Sequence, residues 1–139
     1  MRRIHNHDRE FDVCADGKPI LDVLREETAD VNLQFQFDVF FAQHRDYDPC
    51  KGLERFKGRA PQIHFNDLDP EGRNACDAAS GCMKLSTELG AGCLDLQAIY
   101  RKAVETGVRL VVLEQHSSRR HPLESARINY DYYHHKLIA

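Results

Sequence analysis

Four times along this 139-residue chain, a short apolar or alternating run stops at a polar residue and gives way to a helical pattern. The last instance is the sharpest. Leu110-Val111-Val112-Leu113 ends at Glu114, a polar loop follows, and Pro122 opens a helical segment that runs to about Leu137. A buried parallel strand closed by a carboxylate and followed by a returning helix fits that order. Earlier stretches repeat it. Residues 2–7, RRIHNH, read as a strand with His5 and His7 on one face and Ile4 and Asn6 on the other. Asp16-Gly17-Lys18-Pro19 then turns the chain into a helix bearing Ile20, Leu21 and Leu24 on one face, ending near Thr28. Val31–Asp38 alternates Leu33, Phe35 and Phe37 against Gln34, Gln36 and Asp38, and Asp48-Pro49 starts a short helix that Gly58 ends. In residues 60–66, APQIHFN, Ile63 and Phe65 oppose Gln62, His64 and Asn66. Asp95 is placed to cap a helix carrying Leu96, Ile99, Tyr100 and Ala103, closed by Gly107.

The order βαβαβαβα calls for an α/β fold with a parallel sheet and right-handed crossovers. A sheet covered by helices on both faces wants both faces apolar. Here one face carries Gln34, Gln36, Asp38, Gln62, His64, Asn66 and Glu114. A barrel interior that opens on a site accommodates such a face while Phe35, Phe37, Ile63, Phe65, Val111 and Leu113 pack outward on helices. The expectation is therefore half of a (β/α)₈ TIM barrel: four parallel strands, each followed by a helix, in a single domain over 1–139. The last helix is expected to bury the stripe Leu123, Ala126, Tyr130, Tyr133 and Leu137. Residues 67–93 have little periodicity, a length at which loops tend to be functional, with a short irregular element expected around Met83-Lys84-Leu85.

Composition removes several classes of function. A formal charge of −3 offers no electrostatic case for nucleic acid, and no apolar run approaches the ~20 residues of a membrane span. The basic N-terminus, MRRIHNHDREF, has no apolar signal core behind it. The five cysteines are scattered, and the nearest pair, Cys76 and Cys82, lacks zinc or redox spacing. Reduced thiols in a cytoplasmic protein are expected.

Asp38, His64 and Glu114 end three of the strands, and parity turns them to one side. Two carboxylates and an imidazole at one rim suit a divalent cation such as Mn²⁺, Mg²⁺, Co²⁺ or Zn²⁺; solvated strand ends are the plainer alternative. His5 and His7 are candidates for a fourth ligand or for contacts to substrate hydroxyls, and Glu10 lies within reach of the same rim. Arg119-Arg120 follows Glu114 closely enough to meet an anion, although a solvated loop pair is the simpler expectation. His134-His135 reads as surface.

The segments IHNHDREF, FQFDVFF, APQIHFNDLDPEG, ELGAGCLDLQAI and VVLEQHSSRRHPLESA resemble, in order and spacing, the consecutive motifs of the sugar phosphate isomerase/epimerase family of the xylose isomerase-like barrel superfamily. The resemblance implies strands five to eight of a barrel. It implies metal ligands at Asp38, His64 and Glu114, with His5, His7 or Glu10 at the fifth-strand position. Glu114 and Glu10 would be the acid/base groups moving a proton beside a carbonyl through an enediolate, on a small-molecule sugar or sugar phosphate bound in part by His5, His7 and His116. Three positions depart from the pattern. His64-Phe65-Asn66-Asp67 replaces H-x-K-D, so a cationic contact is absent. Glu114-Gln115-His116 replaces E-Q-D, and Ala91 stands between Gly90 and Gly92 where an acidic residue is common. Since a whole barrel needs ~250 residues, the resemblance covers only its second half. That implies a homodimer, or a partner supplying the missing half. The alternative is an inactive half-barrel remnant or interaction module.

Overall fold

The computed structural model describes residues 2–69, 71 and 82–138. The elements are β1 (Arg2–His5), α1 (Ile20–Glu27), β2 (Leu33–Asp38), α2 (Val39–His44), α3 (Pro49–Arg55), β3 (Gln62–Phe65), β4 (Asp67–Leu68), β5 (Ser86–Thr87), α4 (Leu96–Thr106), β6 (Leu110–Leu113) and α5 (Pro122–Tyr132), which runs on into a π-helical turn at Tyr133–Leu137. β1, β2, β3 and β6 lie side by side in that order and pair in parallel throughout. The register sets Asp38 beside His64, and His64 beside Val112. Four parallel strands with helical returns are the expected half-barrel arrangement.

Period-two alternation sorts the side chains as its parity requires. Phe35, Phe37, Ile63 and Phe65 are fully buried beneath the helices with Leu53, Phe56, Leu96, Ile99 and Ala103. Phe56 packs its ring 4.8 Å from Phe35 and 5.9 Å from Phe37, a tilted aromatic cluster that fixes α3 on the sheet. At the opposite end of the strands Arg59 spans three carbonyls, of Arg25, Thr28 and Leu33, and locks the loop into β2.

Three elements differ from the sequence expectation. β1 stops at His5, not residue 7. Asn6 instead pairs its side chain with the Asp38 backbone, donating to the carbonyl at 3.3 Å and accepting from the N–H at 3.0 Å, so an amide side chain continues the ladder. α2 was not anticipated at all: Asp38 ends a strand and at once caps a helix, accepting from Phe40 and Phe41 N–H. Residues 67–93 hold an antiparallel pair, β4 with β5, and a 3₁₀ turn at Cys82–Leu85 where an irregular element was expected. Residues 70 and 72–81 of that segment, Cys76 among them, lie outside the described residues.

The stripe expected to bury α5 is corrected in its first three positions, while Tyr133 and Leu137 are half-buried and Leu137 packs against the core. Leu123 is 75% and Tyr130 53% exposed, and Ala126 is exposed too. The inward positions are Ser125 and Asn129, because polar partners wait for them. Ser125 Oγ donates to Glu88 Oε1 at 2.6 Å, and Asn129 accepts from Leu89 N–H at 2.8 Å while donating to Gln115 Oε1 at 2.9 Å. The stretches E-L-G-x-G, E-Q and P-L-E-S-A are thus tied into one hydrogen-bond network that fastens the last helix.

Asp67 anchors the same region. Its fully buried carboxylate accepts from the N–H groups of Leu68, Gly90, Gly92 and Leu94 at 2.9–3.1 Å. A Cβ on residue 92 would lie 2.2 Å from Asp67 Oδ1 and 2.4 Å from the Leu68 carbonyl, so the approach requires glycine. Asp67→Ala strands several buried donors at once and is expected to lower unfolding free energy by roughly 2–4 kcal/mol, measured as a reduced urea midpoint at unchanged m-value.

Candidate metal centre

The C-terminal ends of β1, β2, β3 and β6 bring four side chains together. His5, Asp38, His64 and Glu114 each present one ligand atom, and these atoms all lie within 4.8 Å of one another. His64 Nδ1 is 2.5 Å from Glu114 Oε2 and 3.6 Å from Asp38 Oδ2. His5 Nδ1 lies 3.2 Å from the Gln36 carbonyl, and a carbonyl only accepts; Nδ1 therefore carries the proton and Nε2 the lone pair. The His5 and His64 rings lie 4.3 Å apart, centre to centre.

Asp38 divides its two oxygens. Oδ1 caps α2 at 2.9 and 3.1 Å. Oδ2 is buried and has no hydrogen-bond partner. A buried carboxylate oxygen without a donor is costly, and a cation among these four residues would satisfy it. Two imidazole nitrogens and two carboxylate oxygens are a donor set that suits Mn²⁺, Co²⁺ or Zn²⁺, and Mg²⁺ with added waters. Two carboxylates also match the charge of a divalent ion. The residues present fit the group.

The remaining candidates surround this cluster. His7 is exposed, its ring 4.5 Å from His5 and 5.0 Å from Phe41. Glu10 is not one of the four: its carboxylate accepts from His7 N–H at 2.7 Å and so braces the turn that carries His7. His116 sits 3.7 Å from Glu114 Oε2, takes a hydrogen bond of 3.2 Å from Asn66 and packs on Phe40 and Phe41. Arg119 pairs with Asp69 at 2.6 Å and Arg120 with Glu124 at 3.3 Å, both at the exposed loop. Sequence reasoning missed Gln36 and Asn6. Both look like ordinary polar strand residues, and their value lies in contacts across the sheet.

Charge is concentrated here. Burial works against a charged His64, but the Asp38 and Glu114 carboxylates outweigh it and hold its pKa at about 9. Burial, joined by His64, holds His5 below its ordinary value. Burial also opposes charge on Glu114, yet its hydrogen bond to His64 and the charge of His116 keep it below the usual glutamate range. An unfolded histidine titrates near ~6.5. His64 therefore stabilises the metal-free fold fully below that pH, and the contribution disappears as pH rises through about 9. His5 acts oppositely, costing stability as pH falls below ~6.5. In chelator, unfolding free energy is expected to fall by about 2 kcal/mol between pH 6.5 and 9.5, allowing for solvent screening at the rim. His64→Asn should flatten that slope in pH-resolved denaturation.

No family model matches the chain. It is 29% identical over 127 residues to the inosose dehydratase of Geobacillus kaustophilus (strain HTA426), covering 81% of this chain and 41% of that protein. Two crystal structures of sugar phosphate isomerase/epimerases from Parabacteroides distasonis ATCC 8503 superpose with TM-scores of 0.75 and 0.74 at 17% and 20% identity; 96% and 94% of this chain match 45% and 43% of theirs. The probable 3-DHS dehydratase AsbF of Bacillus anthracis gives 0.65 at 15% identity, over 85% of this chain and 44% of that one. The chain thus spans less than half the length of the proteins it matches. Four parallel strands, their helical returns and these superpositions together establish its fold as part of a TIM barrel.

Proposed function

We propose that the rim binds a divalent cation and serves proton transfer at a carbon beside a carbonyl in a sugar, sugar phosphate or related polyol. The observation that carries this is the four-residue cluster, in which Asp38 Oδ2 is buried and unpartnered. Isomerisation and epimerisation both begin by removing the proton next to a carbonyl, and loss of a hydroxyl from the adjoining carbon turns the same start into dehydration. That common step spans both reaction classes named among the similar proteins. A bound cation would supply stabilisation for negative charge developing on the substrate oxygen, as in an enediolate.

The chain's own residues supply the rest. Glu114, held in its charged form, takes and returns the proton. His116 and His7 stand on the aromatic wall of Phe40 and Phe41 and contact substrate hydroxyls, whereas His5, expected among those contacts, is taken up by the Gln36 carbonyl and the cation. Glu10, expected as the second acid/base group, acts through His7, whose position it braces. The protein works in the cytoplasm on a small molecule.

The chelated protein, reloaded with Mn²⁺ or Zn²⁺ and desalted, is expected to retain close to one ion per chain by elemental analysis. Asp38→Ala and Glu114→Ala should each lower affinity at least tenfold, and metal content unchanged by both would end the metal reading. In ²H₂O with metal present, a turnover-competent chain exchanges the hydrogen beside the carbonyl of a ketose or inosose by NMR, and Glu114→Gln abolishes the exchange. Metal retention without exchange into any such compound favours the inactive half barrel.

The surroundings of the rim bear on its partner. β1 and β6 are the outer strands, and among the described residues neither is paired on its outer side. Leu110 of β6 is 52% exposed, and Leu123 and Tyr130 of α5 and Val13 and Ile20 around the start of α1 are exposed as well. The partner we infer is a second copy. Because the sheet is parallel throughout, β6 of one copy extends β1 of another with matching polarity, and twofold repetition closes an eight-stranded ring. Light scattering is expected to give twice the 16.0 kDa chain mass, with Leu123→Lys plus Tyr130→Lys shifting the population to monomer. A compact, monodisperse wild-type monomer would rule the second copy out.

A further inference from the structure

Gln36 touches both imidazoles of the cluster, by two different groups. Its backbone carbonyl accepts from His5 Nδ1 at 3.2 Å. Its side-chain amide lies in very close contact with His64 Nε2. The two histidines are thereby held in opposite senses. His5 turns Nε2 into the cluster, whereas His64 turns Nδ1 toward Asp38 and Glu114.

We propose that Gln36 is the positioning residue of the metal centre: it fixes which nitrogen each histidine offers, Nε2 of His5 and Nδ1 of His64. The proposal rests on the cation reading of the rim. An imidazole that ligates through one nitrogen carries its proton on the other, and that N–H needs an acceptor. For His5 the acceptor is a main-chain carbonyl, which cannot rotate away while β1 and β2 remain paired. For His64 ligating through Nδ1, the acceptor must be the Gln36 amide oxygen. Without a cation, Nδ1 faces two acceptor-only carboxylates and keeps a proton of its own. A primary amide presents its oxygen to the His64 Nε2–H by a half-turn about its terminal bond, because oxygen and NH₂ occupy nearly the same space. A carboxylate serves only as acceptor, and a thioether offers neither role with comparable strength.

The test uses the full chain labelled with ¹⁵N-histidine and Zn²⁺ as the probe. In the loaded wild type, ring ¹⁵N shifts should report His64 bound through Nδ1 with a proton on Nε2, and His5 bound through Nε2. Gln36→Met keeps length and shape but removes the acceptor; it should weaken Zn²⁺ binding by about 10–100-fold, with His64 losing its single tautomer and His5 unchanged. Gln36→Glu restores the acceptor and should return the His64 tautomer and bring affinity back to wild type or above. Gln36→Met binding within twofold of wild type, or His64 ligating through Nε2, would overturn the proposal. Failure of the wild type to bind Zn²⁺ would instead overturn the cation reading beneath it. Thermal melts and the His5 shifts separate misfolding of the methionine variant from the local loss.

Discussion

The structure turns on Asp38, a buried carboxylate asked to do two things at once. One oxygen ends β2 by capping α2, which brings Phe40 and Phe41 down beside the rim. The other is left facing His64 without a hydrogen-bond donor. Asn6 clamps the same residue from β1 through both its main-chain groups. Strand order, helix start and ligand direction therefore meet in one side chain. Removing the cap would release not only α2 but the aromatic wall on which His7 and His116 rest. A barrel rim of this kind is preorganised because the groups that face the ligand are also groups the backbone needs.

Much of this was legible in the chain because β-strand parity is strict. Alternation over Val31–Asp38 and residues 60–66, with an apolar run ending at Glu114, was enough to turn Asp38, His64 and Glu114 to one side, and the cluster contains all three. The fifth-strand position was left open among His5, His7 and Glu10, since a strand that ends in a loop gives no period to follow. In the structure the strand stops at His5, which keeps His5 in the rim layer, while the turn carries Glu10 to the His7 amide instead. α2 escaped because an aspartate at a strand end and an aspartate at a helix N-cap are the same letter, and Phe40-Phe41 continues a run of aromatics that reads equally well as strand.

The misreading of α5 is the more instructive one. Periodicity selected Leu123, Ala126 and Tyr130 as the inward face, on the premise that an apolar stripe seeks the core of its own chain. Ser125 and Asn129 face inward instead, because Glu88 and the Leu89 amide hold them there, and the network continues to Gln115 beside Glu114. Period alone cannot weigh a polar network against an apolar stripe; specific long-range partners decided the outcome. Leu123, Ala126 and Tyr130 are left exposed, while Leu137, at the end of the same stripe, packs against the core.

The residues behind the family resemblance divide accordingly into two physical roles. Asp67, Glu88, Gly92, Ser125 and Asn129 bind segments of chain to one another. His5, Asp38, His64 and Glu114 gather at the rim, each offering one ligand atom to the cluster. The first group explains how four strands with two open edges keep the last helix in place, and the second explains why a cation would find its ligands already gathered. Two of the three departures fall at the rim. Asn66 and His116, hydrogen-bonded to each other at 3.2 Å, stand where the related pattern has a cation and an acid. Exchanging two charges for a neutral amide and an imidazole leaves the holding network untouched. On the proposed reading of the rim, it would remove a charged contact to an anionic substrate group.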